Sequence, residues 1–200
     1  MNYLAHIYLS GDDPLVMIGN LIGDMVRNHD LDRLSPKVRR GVGLHRFIDS
    51  YTDNHPDVRR LNAVFRPTQR KYAPVVSDII LDHVLARRWD DWADADYMGW
   101  CDRKYALIDA HYHEIPFHAR KRVASMVDGR WLDTYASERG VRYALSRLAI
   151  RARFDNRIQQ AYDVYELKQT EIEGLFESFF PDIKSASSGF IKQDEQDLMD

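Results

Sequence analysis

Apolar positions along the chain recur at spacings of three and four, and no segment alternates cleanly over six or more residues. That period belongs to helices that bury one face, so the pattern predicts an all-α protein without strands. The first helix covers 2–9 and is followed by the turn Gly11-Asp12-Asp13-Pro14. Pro14 fits the first turn of a second helix, where its missing N–H costs nothing, and that helix runs to about Val26. Ser35-Pro36 reads as an N-cap followed by proline at the first helical position. The helix it opens carries Val38, Val42, Leu44, Phe47, Ile48 and Tyr51. It stops near Asn54, because His55 precedes Pro56 and such a residue avoids the helical region. A short helix from Pro56 to about Phe65 is expected to break at Pro67. One long helix follows over 70–92, then others over 97–113, 116–128, 138–152 and 155–180, the last interrupted near Glu171. Pro116 and Pro181 read as boundaries, and Gly129 and Gly140 as turns. The polar stretch 185–200 is expected to be a flexible tail, which leaves one helical bundle over 1–184.

Composition changes this picture little. The chain is long enough for one domain with a sizeable core. A net charge of −3 does not suit a molecule-wide attraction to nucleic acid. No apolar run approaches the roughly 20 residues needed to cross a bilayer. The opening MNYLAHIYLSGDDP has neither a basic n-region nor a long apolar h-region. The lone cysteine, Cys101, rules out an intramolecular disulfide and suits a reducing compartment. These readings imply a soluble cytoplasmic protein that binds neither nucleic acid nor membrane.

Chemistry-bearing residues concentrate in the first ninety positions. In GVGLHRFIDSYTDNHP, residues 41–56, His45, Asp49 and Asp53 stand four apart, so one helix face presents an imidazole and two carboxylates in a column. Taken alone, such a column is most simply an ion pair with solvated acids. A second cluster lies in SDIILDHVLARRW, where Asp78 and Asp82 are again four apart and His83 follows directly. Ile79, Ile80, Val84 and Leu85 make that helix strongly apolar, and a buried carboxylate pair repels itself unless protons or cations neutralise it. A divalent metal is the economical solution, since mixed carboxylate and imidazole donors suit Mn²⁺, Mg²⁺ or Fe. His6, in the apolar first helix, and Asp24, closing GNLIGD, join them as candidate ligands or as supports of ligands. A CxxC, an HExxH, a G-x-S-x-G and a Walker-type loop are all absent from the sequence. Gly41-x-Gly43 lies inside a helical pattern and signals close packing, and Cys101 reads as an ordinary buried thiol.

The Asn-x-Leu-Ala-His start, GNLIGD at 19–24, GVGLHRFIDSYTDNHP at 41–56, FRPTQRKYAPVVSDIILDH at 65–83 and FFP at 179–181 together resemble the acyl-carrier-protein phosphodiesterase family, over about residues 1–181. That family is regarded as a divergent relative of the helical HD-domain phosphohydrolases. The resemblance implies an HD-domain-like helical fold and hydrolysis of the phosphodiester linking 4′-phosphopantetheine to a serine of holo-acyl carrier protein. It also implies a divalent cation, typically Mn²⁺, and a place in fatty acid and lipid metabolism. The matching polar residues are His6, Asp24, His45, Asp49, Asp53, Asp78, Asp82 and His83. A cation would lower the pKa of bound water and polarise the phosphoryl oxygens. One of Asp49, Asp78 or Asp82 would orient that water, His45 or His83 would protonate the leaving serine oxygen, and Arg46 would neutralise phosphate charge.

Charge distribution then acquires a reading. From Arg33 to Lys71 there are ten Lys/Arg against three Asp. Acyl carrier proteins are acidic, so Arg39, Arg40, Arg59, Arg60, Arg66, Arg70 and Lys71 are candidates for steering the carrier protein to the site. The stretch from Arg139 to Arg157, with six Arg against Asp155, is a second basic candidate. Two other functions fit the same residues: an HD-like phosphohydrolase acting on a nucleotide or other small phosphoester, and a non-catalytic helical module that binds an acidic partner.

Overall fold

The computed structural model describes the backbone of residues 1–197 and side chains through Gln193. Among the described residues there are helices and connecting turns but no strands, as the hydrophobic period predicts. The α-helices are α1 (Tyr3–Tyr8), α2 (Pro14–Ile22), α3 (Pro36–Asn54), α4 (Pro56–Gln69), α5 (Ala73–Arg87), α6 (Tyr97–Ala110), α7 (Phe117–Asp128), α8 (Trp131–Thr134), α9 (Glu138–Arg151), α10 (Ala161–Leu167) and α11 (Gln169–Asp197). Three-residue 3₁₀ turns, including Gly23–Met25, and one of six residues at Asn28–Arg33 link several of them.

The centre of the molecule is α5. Val76, Ile79, Ile80, Leu81, Val84 and Leu85 are buried all round it, so it has almost no solvent face. α1 is too short to be stable by itself and is held by α5. The Asp82 carboxylate accepts hydrogen bonds from the backbone N–H groups of Asn2 (3.2 Å), Leu4 (2.8 Å) and Ala5 (3.4 Å). These are donors that the first turn of a helix leaves without partners. α2 and α3 pack closest of all, because two glycines face each other where they cross. A methyl group on Gly41 would lie 2.1 Å from the Val16 carbonyl oxygen and 2.7 Å from Gly19 Cα. The Gly41 of the helical pattern is therefore a close-packing glycine.

Where element boundaries differ from the sequence pattern, tertiary packing outweighs local chemistry. α4 runs through Pro67 to Gln69, anchored by buried Phe65 and by Gln69, whose amide donates to the Arg157 carbonyl. The chain then turns sharply at Arg70, which adopts φ 52°. The helix expected over 70–92 is therefore a 3₁₀ turn, then α5, then a second 3₁₀ turn at Trp89–Asp91. The helix expected over 155–180 starts only after Arg157 and is interrupted at Lys168. Pro181 is not a boundary. Phe176, Phe179, Phe180 and Ile183 form a fully buried stripe at helical spacing that carries α11 across it. Beyond residue 184 the helix continues to Asp197, with Ser187 buried and the Phe190 ring 5.1 Å from that of Phe47; the remainder of the expected tail, 198–200, lies outside the described residues. Ser35 does precede α3, but its hydroxyl donates to Glu114 (2.9 Å) instead of capping the helix.

Candidate active site

The crossing of α2 and α3 brings His45 and Asp49 of α3 against His6 of α1. The His6 and His45 rings stack, with centroids 4.1 Å apart and planes within 18°. Nε2 of His6 is 3.1 Å from Oδ1 of Asp49, and Nε2 of His45 is 3.2 Å from Oδ2 of the same carboxylate. The Asp24 carboxylate, in the turn after α2, also approaches His45 Nε2 to 3.2 Å. Space for the His45 ring exists because residue 23 is glycine: a Cβ there would fall 2.2 Å from His45 Cγ.

Asn20, in the middle of α2, fixes the state of both rings. Its amide nitrogen donates to the His6 carbonyl (2.7 Å) and to Ser10 Oγ (2.9 Å), which leaves Oδ1 as the acceptor. His6 Nδ1–H donates to that Oδ1 (2.8 Å), and His45 Nδ1–H donates to the Asn20 backbone carbonyl (2.7 Å). With both Nδ1 atoms protonated, each neutral ring presents a bare Nε2 to carboxylate oxygen. Nε2 of His45 is buried and makes no aligned hydrogen bond. This arrangement demands positive charge, which a proton or a metal ion can supply.

The ionisation preferences agree. Burial disfavours the charged form of His45, yet the Asp24 and Asp49 carboxylates outweigh it and hold the ring at about 9. Burial likewise opposes ionisation of Asp49, but the two imidazoles keep it well below the usual carboxylate range. Burial dominates at His6 and lowers its pKa. Nε2 of His6, Nε2 of His45 and a carboxylate oxygen of Asp49 all lie within 4.8 Å of one another, a donor set that could hold a metal ion. Two imidazoles and a carboxylate, each imidazole oriented by an outer hydrogen bond, are what a first-row divalent cation requires.

The two histidines of the cluster and the neighbouring Asp24 line a cavity of about 320 Å³. Met1, Asp24, His6, His45 and Asp78 are among the residues that line it. The Met1 amino group lies 2.9 Å from Asp78 Oδ1. Burial raises the Asp78 pKa against the opposing pull of that ammonium. Arg122 of α7, Arg147 and Arg151 of α9, and the aromatic residues Tyr3, Trp131 and Tyr143 also line it.

The structure thus brings together His6, Asp24, His45 and Asp49, and places Asp78 in the same cavity. It does not bring in the rest. Asp82 is wholly buried under the start of α1, where it acts as that helix's cap. Burial raises its pKa to about 7 despite the ammonium and the backbone donors. His83 points to the far side of α5, where Nδ1–H donates to the Tyr135 carbonyl (2.7 Å) between the rings of Tyr162 and Tyr165. Arg46 is exposed on α3 and does not line the cavity. Asp53 faces a separate shallow groove with Arg59, Arg66 and Pro74. Arg39 approaches Asp32 (3.7 Å), Arg40 donates to the Ile191 carbonyl, Arg60 pairs with Asp57 (3.0 Å), and Arg70 is exposed. Lys71 sits 3.1 Å from the centroid of the Phe154 ring. Cys101 is a buried thiol whose pKa burial pushes up to about 12. Asn20 and Arg122 carried no sequence expectation, whereas Arg147 and Arg151 lie in the basic stretch from Arg139 to Arg157. A lone asparagine in PLVMIGNLI is the signal for the first, since a polar group among apolar neighbours needs a partner.

A helical frame that holds a histidine–aspartate cluster beneath a cavity walled by arginines has the makings of a phosphoester hydrolase. The chain belongs to the acyl carrier protein phosphodiesterase family, whose model matches residues 1–183. It is 30% identical over 182 residues to the acyl carrier protein phosphodiesterase of Serratia proteamaculans, covering 90% of this chain and 94% of that one. It is 28% identical over 186 residues to the protein of that name from Yersinia enterocolitica, covering 92% and 96%. A Salmonella newport protein of the same name is 30% identical over 190 residues. No solved structure matches the chain significantly.

Proposed function

We propose that this protein hydrolyses the phosphodiester joining 4′-phosphopantetheine to the serine of holo-acyl carrier protein, giving apo-acyl carrier protein and 4′-phosphopantetheine. The observation that carries the reading is the His6–His45–Asp49 cluster opening on a cavity with an arginine wall, in a chain whose relatives bear that name. His6, His45 and Asp49 would hold a divalent cation, with Asp24 beside them. Mixed nitrogen and oxygen donors suit Mn²⁺, Mg²⁺ or Fe, and the preference for Mn²⁺ among them comes from the family resemblance. Bound there, the cation supplies charge neutralisation at phosphorus and a more acidic water.

The residues of the chain divide the remaining work. Only Nε2 of each histidine faces the site, because Asn20 occupies both Nδ1 positions, so each ring has one atom to offer. Asp49, held ionised by the imidazoles, orients donors but cannot itself supply a proton near neutral pH. Asp78 lines the cavity outside the cluster, paired with the Met1 ammonium, and could orient the attacking water. In the overall step water attacks phosphorus, the bond from phosphorus to the serine oxygen breaks, and that oxygen takes up a proton.

Arg39, Arg40, Arg59, Arg60, Arg66, Arg70 and Lys71 steer the acidic carrier protein toward the site, so kcat/KM should fall with rising salt. No helix among the described residues is long and apolar enough to cross a membrane, and the protein works in the cytoplasm, where its substrate is made. Incubating holo-acyl carrier protein with the protein and Mn²⁺ should shift the carrier to the mass of its apo form and release 4′-phosphopantetheine. An unchanged carrier mass, with turnover of free nucleotides instead, would reject this substrate.

A further inference from the structure

We propose that Arg122, Arg147 and Arg151 form the phosphate-recognition wall of the cavity, with Tyr3, Trp131 and Tyr143 flanking the uncharged part of a phosphopantetheine arm. This rests on the reading above and names the subsite that reading lacks. The cavity is lined by the Asp24 carboxylate, which repels a phosphodiester, and by the Met1–Asp78 ion pair, which is neutral as a whole. A phosphate entering there is held by opposing charge close by, and Arg122, Arg147 and Arg151 are the arginines that line the cavity.

Their setting supports recognition over mere solubility. Arg147 and Arg151 stand four apart on one face of α9, a like-charge spacing that weakens a helix unless an anion lies between them. Among the described residues neither has a carboxylate partner. Arg142, on another face of the same helix and outside the cavity, is by contrast bonded to Glu138, Asp163 and Glu166. Arg122 is already oriented along the wall, since its Nε donates to the Tyr3 hydroxyl (2.6 Å) and its guanidinium lies over that ring at 5.6 Å. The planar guanidinium offers paired donors that match phosphoryl oxygens. Tyr3 and Trp131, with ring centroids 5.8 Å apart, make an apolar rim suited to an extended amide chain.

The test compares 4′-phosphopantetheine with pantetheine, which lacks only the phosphate, by titration calorimetry on the whole protein. The wild type should prefer the phosphorylated ligand by roughly tenfold or more, as charge-assisted hydrogen bonds allow. Arg147→Ala/Arg151→Ala should bring the two ligands to near parity, and Arg147→Lys/Arg151→Lys should restore part of the preference. Affinity for apo-acyl carrier protein, which carries no phosphopantetheine, should stay the same. A phosphate preference retained in the alanine variant overturns the assignment. So does a matching loss of apo-carrier binding, which would make these arginines a protein-docking surface. A wild type that shows the phosphate preference but leaves holo-carrier protein intact sinks the proposed reaction and keeps the subsite.

Discussion

Replacing His45 with Gln removes one proton site and makes its contribution measurable. In protein stripped of divalent cations, burial works against a charged His45, but Asp24 and Asp49 more than offset it and raise the ring from 6.5 to about 9. A group that holds its proton more tightly in the folded state stabilises the fold fully below its unfolded pKa. That stabilisation is lost as pH rises through the folded value. The interval from 6.5 to about 9 corresponds to roughly 3 kcal/mol, a sizeable share of the ~5–15 kcal/mol of a typical domain. Asp49 is held low by the same contacts, so its shift is the other half of one interaction and adds nothing further. The Met1 ammonium is raised by Asp78 against burial and titrates in the same sense, but it is common to both proteins and cancels in their difference. Urea unfolding with chelator present, between about pH 6.5 and 9.5, should therefore show the wild type losing roughly 3 kcal/mol more than His45→Gln. With excess Mn²⁺ the cation takes the proton's place, and the added stability should grow as pH rises, because less proton must be displaced. Parallel pH curves for the two proteins would refute the geometry assigned to Nε2.

Three further substitutions probe separate links. Gly41→Ala places a methyl 2.1 Å from the Val16 carbonyl and should destabilise by about 1–3 kcal/mol or more through forced separation of α2 and α3, read as a fall in melting temperature. Asn20→Ala leaves the backbone acceptor of His45 but strips His6 Nδ1 of its partner; cation affinity should fall roughly 10–100-fold in a direct metal titration. His83→Gln should leave cation affinity unchanged while costing on the order of 1–3 kcal/mol of stability, because it disturbs the buried bonds to the Tyr135 carbonyl and the Tyr162 hydroxyl, both away from the cluster. Loss of metal from that last variant would mean that α5 contributes to the site in a way its packing does not suggest.

How far the sequence revealed this site follows from the geometry of a helix. Residues four apart share a face, so His45 and Asp49 were legible from spacing alone, and they do meet. The same rule separates neighbours by about 100°, which is why His83 and Arg46 point away from the groups beside them. Adjacency in sequence is therefore not proximity in space at either position. His6 and Asp24 could be named as candidates but not placed. Their meeting depends on the glycine crossing of α2 and α3 and on the room Gly23 leaves for an imidazole, and both are matters of packing. Pro67 and Pro181 likewise failed to end their helices because Phe65 and the Phe176–Ile183 stripe are buried on either side. Asn20 was the signal most available and least used. It is the one polar side chain in an otherwise apolar helix, fully buried, and burying an amide without partners costs on the order of 1–3 kcal/mol. A chain tolerates that cost where every donor and acceptor is matched, and here each match ends on a histidine of the cluster or on the serine that braces it. An isolated polar residue inside an apolar helix therefore points to the residues it must satisfy, and in this protein those residues include both histidines of the candidate site.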